Sequence, residues 1–133
     1  MKKYLIVSLI SLLLLLLTAC AQPASQGGGV NLNLPDDIPV LSGAIDLAVN
    51  ATGRGTLVNY QFDTTDVNVV VDYYKSALVS AGWQDGPSAD IVANDSATLV
   101  RVNDAGDIIT VGIVRDPATG NVDVQVDVTR ASE

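Results

Sequence analysis

The stretch Val122-Asp-Val-Gln-Val-Asp-Val-Thr129 alternates apolar and polar residues without an exception. A period of two is typical of a β-strand with one buried and one solvated face, because successive side chains point to opposite sides of a sheet. The valines therefore predict a covered face, and Asp123, Gln125 and Asp127 predict a face open to water. A sheet of this kind needs one covering layer.

Four other segments show weaker alternation and are separated by turn-forming residues. Glycine, asparagine and aspartate are concentrated at residues 51–55, 103–106 and 116–121, where they favour turns. The first two predicted strands are close enough in sequence to form a hairpin. The predicted strands are residues 45–50, 57–62, 97–102, 108–114 and 122–128, with a short run at 91–93 as a candidate sixth.

A helix is predicted between the second and third long strands, because apolar residues recur there at helical spacing. Thr64 or Thr65 is the predicted N-cap. Gly82 followed by Trp83 is typical of a helix end in which glycine is left-handed and the next side chain folds back. The residues on the apolar face are Val67, Val70, Val71, Tyr74, Leu78 and Ala81.

These elements predict an α+β fold of two layers. One antiparallel sheet of about five or six strands is covered on one face by a single helix, in the order β-β-α-β-β-β. The length of 133 residues allows one domain and excludes a two-domain enzyme.

The N-terminus has the pattern of an export signal. Lys2 and Lys3 form a short positive region, residues 4–17 are apolar apart from two serines, and a small residue precedes Cys20. This apolar stretch is too short to span a bilayer, which needs about 20 residues. Leu17-Thr18-Ala19-Cys20 resembles the lipobox of bacterial lipoproteins, the site that signal peptidase II cuts.

The lipobox resemblance implies cleavage between Ala19 and Cys20 and a diacylglycerol on the Cys20 sulfur, with a further acyl chain such as palmitate on the new amino terminus. Several acyl chains bind a bilayer stably, since each buried CH₂ contributes about 0.8 kcal/mol. The implied partner is the membrane, with the protein facing outside the cytoplasm. Ala21 stands where an aspartate favours inner-membrane retention in enterobacterial lipoproteins, so an outer membrane is the expected location where the host has one.

The chain divides into three predicted parts. Residues 1–19 are the signal peptide, and residues 20–34 are the lipidated cysteine followed by a flexible tether rich in glycine, serine and glutamine. Residues 35–133 form the single α+β domain.

A second resemblance joins the start of this domain to the helix. Pro35-Asp36-Asp37-Ile38-Pro39-Val40 contains two prolines, which exclude regular structure. Tyr73-Tyr74-Lys75, Leu78 and Ala81-Gly82-Trp83 follow on the predicted helix. The combination is similar to small bacterial exported lipoproteins in which a D-I-P segment precedes a helix ending in Y…L…GW. This resemblance implies a fold and no activity.

The composition excludes several classes of function. Fifteen acidic side chains against seven basic ones give a formal charge of −8, so the chain lacks the basic surface that nucleic acid requires. There is no histidine, and no thiol remains once Cys20 is lipidated. Lys75 is the only lysine left after cleavage and points away from Ser76 on the predicted helix, which argues against a serine hydrolase. We predict that the protein is not an enzyme.

Two sets of side chains are candidate ligand sites. Asp104, Asp107, Asp116 and Asp123 lie in or beside two turns and are candidate calcium ligands, although turn chemistry also explains each of them. Five aromatic residues are candidates for stacking on a sugar or peptide, with burial in the core as the favoured alternative. They are Tyr60, Phe62, Tyr73, Tyr74 and Trp83.

The sequence predicts a membrane-anchored, non-enzymatic module that binds an unidentified protein or small molecule or supports the cell envelope. No cofactor is expected apart from the candidate calcium ion. The alternatives are a carrier of a small apolar or sugar ligand and a calcium-dependent surface adhesion module. A carrier needs a cavity between helix and sheet, whereas valine-rich strands against a valine-rich helix predict a filled core.

Overall fold

The alternating stretch at residues 122–129 forms a strand in the middle of one antiparallel sheet. The computed structural model describes residues 33–132, so the predicted signal peptide, Cys20 and most of the predicted tether lie outside the described residues. The elements in chain order are β1 (Ile45–Thr52), β2 (Gly55–Phe62), α1 (Val67–Ser80), β3 (Gln84–Asp85), β4 (Ile91–Val92), β5 (Ser96–Val102), β6 (Ile108–Arg115) and β7 (Val122–Thr129).

The strands are neighbours in the order β1-β2-β7-β6-β5-β3, and β4 also pairs with β5. Every pairing is antiparallel. Residues 33–132 therefore have an α+β fold with one seven-stranded sheet and one helix, which confirms the predicted fold class. The candidate sixth strand at residues 91–93 is β4, and the strand that the sequence did not predict is β3, which at two residues is too short for alternation to reveal.

The side of the sheet that faces α1 is a filled apolar core. All four valines of β7 are at most 2% exposed, as their alternation predicts. The side chains buried from α1 are Val67, Val70, Val71, Tyr74 and Leu78. Each fully buried Leu, Ile or Val side chain contributes about 1.5–3 kcal/mol relative to exposure. This face therefore supplies most of the apolar stabilisation.

Helix α1 begins at a different cap from the predicted one and ends as predicted. The N-cap is Asp66, whose carboxylate accepts a hydrogen bond from the Asn68 backbone N–H at 2.9 Å, so the prediction of Thr64 or Thr65 is wrong. Thr64 instead accepts a hydrogen bond from the Asp66 backbone N–H. At the other end, Gly82 has φ +92° and the Trp83 N–H donates to the Leu78 carbonyl, which confirms the predicted left-handed helix end.

The segment before β1 is fixed to the sheet through Asp37. Its carbonyl accepts a hydrogen bond from the Trp83 indole N–H at 2.7 Å, and its carboxylate accepts two from Arg130, at 2.6 and 2.9 Å. The next residue, Ile38, is 2% exposed within the core. Val40 and Leu41 pack against the core. The D-I-P and G-W residues singled out in the sequence thus contact one another.

Strand β1 is regular over most of its length and irregular at its start. The register with β2 shifts between Ile45 and Ala48, and Asp46 lies between them with φ +52°. A bulge of this kind redirects side chains. It breaks the alternation that the sequence suggested for residues 45–50, and it brings Asp46 to the surface described next.

Candidate functional site

The candidate site is the face of the sheet turned away from α1. Within residues 33–132 no helix covers this face, and its centre forms a groove of about 720 Å³. We call it the open-face groove. Its lining includes Asp46, Asn59, Gln61, Thr98, Thr110, Gly112, Val114, Asp123, Gln125 and Asp127.

Strand register brings these residues together from distant parts of the chain. The central row crosses four strands through Asn59, Gln125, Gly112 and Thr98. One flanking row contains Gln61, Asp123 and Val114, and the other contains Leu57, Asp127 and Thr110. The groove is thus built on the rigid middle of the sheet, which positions side chains more accurately than a loop does.

The charge of the groove is entirely negative. Asp46, Asp123 and Asp127 line it, and no lysine or arginine of the described part of the chain does. The ion pairs of residues 33–132 lie elsewhere and use three arginines, Arg101, Arg115 and Arg130, with other aspartates. The three carboxylates of the groove therefore have no cationic partner within the described residues.

The neutral polar groups of the groove are also without hydrogen-bond partners among residues 33–132. Asn59, Gln61, Thr98 and Thr110 are half-buried, and Gln125 is exposed. None of the side-chain hydrogen bonds formed within residues 33–132 involves these five side chains. Their donors and acceptors are free to bind water or a ligand.

The floor of the groove is Gly112, in the middle of β6. Its φ is not in the left-handed region, and a Cβ placed on it would meet only the Gln125 carbonyl oxygen, at 3.9 Å. The pairings with β5 and β7 continue through it without a bulge. Gly55 is different, since a Cβ there would lie 1.7 Å from the Val128 carbonyl oxygen.

Backbone geometry therefore requires glycine at position 55 and does not require it at position 112. Glycine inside a strand destabilises it by about 0.5–1 kcal/mol relative to alanine. A strand glycine without a structural reason often marks a place where a ligand approaches the backbone closely. Gly112 is the residue that most clearly distinguishes this surface from an ordinary solvated sheet.

A second concavity, of about 220 Å³, surrounds Arg101. Its guanidinium makes two hydrogen bonds to Asp90, at 2.6 and 2.9 Å, and its Nε lies 3.3 Å from Asp85 without hydrogen-bond geometry. The hydrogen bond from Arg101 lowers the pKa of Asp90, and the same bond raises the pKa of Arg101. Two carboxylates already neutralise this cation, so the cluster ties the loop before β4 to the sheet.

A similar cluster holds the two ends of the domain. Arg130 contacts Asp37 and also Asp107, whose carboxylate lies 3.0 Å away. The pKa of Asp37 is lowered chiefly by the Arg130 hydrogen bond. The pKa of Asp107 is lowered first by the Ala131 backbone N–H, then by the Asn103 amide and by Arg130. The carboxylates of Asp37 and Asp107 therefore already have hydrogen-bond partners within the fold.

The structure does not bring the four calcium candidates together. Asp104 and Asp107 precede β6 and Asp116 follows it, so an eight-residue strand, about 26 Å long, separates the two turns. Asp104 accepts a hydrogen bond from Gln84, and Asp116 from the Ala118 N–H and the Thr119 hydroxyl. Asp123 alone lies in the open-face groove. Residues 33–132 contain no group of three or more His, Cys, Asp or Glu that could hold a metal ion.

The aromatic candidates belong to the core on the covered side of the sheet, although Tyr60 also borders the open-face groove. Tyr60, Tyr74 and Trp83 are at most 3% exposed, and Phe62 and Tyr73 are partly buried against the core, in agreement with the favoured alternative of burial in the core. The Tyr60 and Tyr74 hydroxyls share a hydrogen bond at 2.9 Å, and burial raises the pKa of both.

Sequence reasoning identified the wet face of β7 and assigned no binding role to its neighbours. Asn59, Thr98, Thr110 and Gly112 were missed as site residues, because their proximity depends on register between four strands. One local signal was present: a glycine in the middle of the apolar run Ile108–Val114.

Comparisons with protein families, curated proteins and solved structures find no match for this chain. In the part of the chain that the structure describes, no helix is both long and apolar enough to cross a membrane.

Proposed function

We propose that this protein is a lipid-anchored, non-enzymatic binding module that works outside the cytoplasm and holds a small molecule in the open-face groove. The resemblance of residues 17–20 to a lipobox supports the anchor. The observation that carries the binding role is Gly112, a destabilising residue that keeps the middle of the groove empty.

The dimensions and chemistry of the groove support this role. Small-molecule sites are concave, with volumes of about 300–1,000 Å³ and a few polar groups that fix the ligand. The open-face groove has about 720 Å³ and five neutral polar side chains that form no hydrogen bond to another of the described residues. A protein that retains a destabilising residue at such a place trades stability for function.

The lining of the groove supports binding rather than catalysis. Among the described residues that line it there is no imidazole, thiol or amine. Asp123 and Asp127 are four residues apart on one strand, which places them about 13 Å apart. Carboxyl pairs that hydrolyse glycosides are separated by roughly 5–9.5 Å.

The anchor is tested by labelling the full chain with a palmitate analogue in a bacterial host and separating membrane from soluble fractions. We expect the wild type to be labelled and in the membrane fraction, and Cys20→Ser to be unlabelled and to accumulate as the uncleaved precursor. Equal labelling of the two proteins would contradict the lipid anchor.

The binding role is tested by native mass spectrometry of the full-length lipoprotein extracted from host membranes in mild detergent. We expect the wild type to retain a small-molecule adduct and Gly112→Val to lose it, because the side chain fills the floor of the groove. Gly53→Val is the matched control, since nothing lies within 4 Å of a Cβ at that turn position outside the groove. An adduct retained by Gly112→Val and lost by Gly53→Val would place binding elsewhere.

A further inference from the structure

We infer that the ligand of the open-face groove is a linear oligoamine, a flexible molecule with ammonium groups separated by methylene chains. This inference rests on the proposed function, since it names the ligand of the same groove.

The negative charge of the groove favours a cationic ligand. Three carboxylates line the groove, and neither a basic side chain of the groove nor an ion pair within residues 33–132 offsets them. Such a surface attracts cations and repels phosphates and carboxylates. Charge complementarity therefore selects a cationic ligand.

The spacing of the groove's carboxylates favours a ligand with two separated positive charges. Asp123 and Asp127 lie on the same face of β7, about 13 Å apart, with Gln125 between them. This distance is too large for one compact cation to contact both carboxylates. A ligand with ammonium groups near its two ends and hydrogen-bonding groups between them matches the arrangement.

The floor of the groove offers apolar surface for a chain of methylene groups. Between the two carboxylate rows, the central row has Gly112 where its neighbours have side chains, and Val114 in the adjoining row is 52% exposed. These two residues offer apolar surface on which methylene groups can lie close to the backbone. A chain of methylenes fits this strip better than a bulky ring does.

Other occupants fit the groove less well. Two copies of the protein meeting through this face would bring six unpaired carboxylates together, which is repulsive. A sugar that stacks on an aromatic ring has no ring to use, because Tyr60, the aromatic residue that touches the groove, is 3% exposed and its hydroxyl is bound to Tyr74.

The test is isothermal titration calorimetry of the full-length lipoprotein in non-ionic detergent, with spermidine as the probe. Magnesium chloride at equal ionic strength and ethylamine serve as a divalent and a single-charge control. We expect one spermidine per protein, little heat from either control, and weakening of about tenfold for Asp123→Asn and for Asp127→Asn. Asp72→Asn, an exposed aspartate on α1, should bind within twofold of wild type.

Each other result overturns the inference, and the adduct seen by native mass spectrometry separates its failure from that of the proposed function. Equal binding of magnesium, or equal weakening by Asp72→Asn, would show attraction to the overall charge only. No spermidine binding together with a native adduct that Gly112→Val removes would reject the oligoamine and keep the proposed binding role. No spermidine binding and no adduct would reject both.

Discussion

The two faces of this sheet are built from the same strands and have opposite properties. Along β7, the valines on one side are at most 2% exposed, while Asp123, Gln125 and Asp127 on the other side are open to solvent. The covered face is filled and its buried tyrosine hydroxyls are paired. The open face has unpaired polar groups around an unfilled centre. Stability therefore depends on one face of the sheet and the proposed binding on the other, so that substitutions can change the two separately.

The sharpest test of this division substitutes adjacent residues of β5. Leu99 is fully buried and its neighbour Thr98 lies in the groove. We expect Leu99→Ala to lower the free energy of unfolding by about 2–5 kcal/mol, because it leaves a cavity. Thr98→Ala should change it by less than about 0.5 kcal/mol, as expected for a surface site. Urea unfolding followed by Trp83 fluorescence measures both, and a similar loss for the two variants would break the comparison.

A smaller effect is expected from the acids that are paired at the sheet end. Folding lowers the pKa of Asp37 and Asp107 below the ordinary 3.8, with Arg130 contributing to both. A lowered folded pKa adds stability that is present above the ordinary pKa and is lost as pH falls through the lowered value. We therefore expect the free energy of unfolding to decrease as pH is lowered from about 5 to 2.

Arg130→Ala isolates this contribution. The cluster is partly exposed, so we expect the variant to lose about 1 kcal/mol at pH 7 and to show a shallower decrease in stability at acidic pH. Arg54→Ala is the control, since it removes a cation that is absent from the ion pairs of the described residues. Parallel pH profiles for wild type and Arg130→Ala would contradict this assignment.

The covered face could be predicted from the sequence and the groove could not. Alternation at residues 122–129 and the Gly82-Trp83 helix end are local signals, and both gave the correct structure. The N-cap was mistaken because Thr64, Thr65 and Asp66 are all capable of capping, and only the backbone path decides among them. The bulge at Asp46 likewise has no distinctive local pattern.

The groove depends on information that no short window contains. Its central row joins residues 59, 98, 112 and 125, which become neighbours only through the order β2-β7-β6-β5 and the register of three pairings. Each of these four residues lies within a strand that the sequence predicts. The position of β7 between β2 and β6 was needed to bring them together.

The energy change expected at Gly112 is small but the most informative, because its sign separates two roles for this residue. If this glycine were needed by the backbone, a larger side chain would destabilise the domain, as a Cβ at Gly55 would by colliding with the Val128 carbonyl. At position 112 the nearest atom to a Cβ is an oxygen at 3.9 Å, and valine favours strands. We expect Gly112→Val to raise the free energy of unfolding by about 0.5–1 kcal/mol.

The same substitution should abolish ligand binding, so that a gain in stability accompanies a loss of function. Gly112→Ala, which adds a single methyl group, should stabilise the domain and weaken binding less. Destabilisation by both substitutions in urea unfolding would assign Gly112 to the fold and remove the main support for the groove as a binding site.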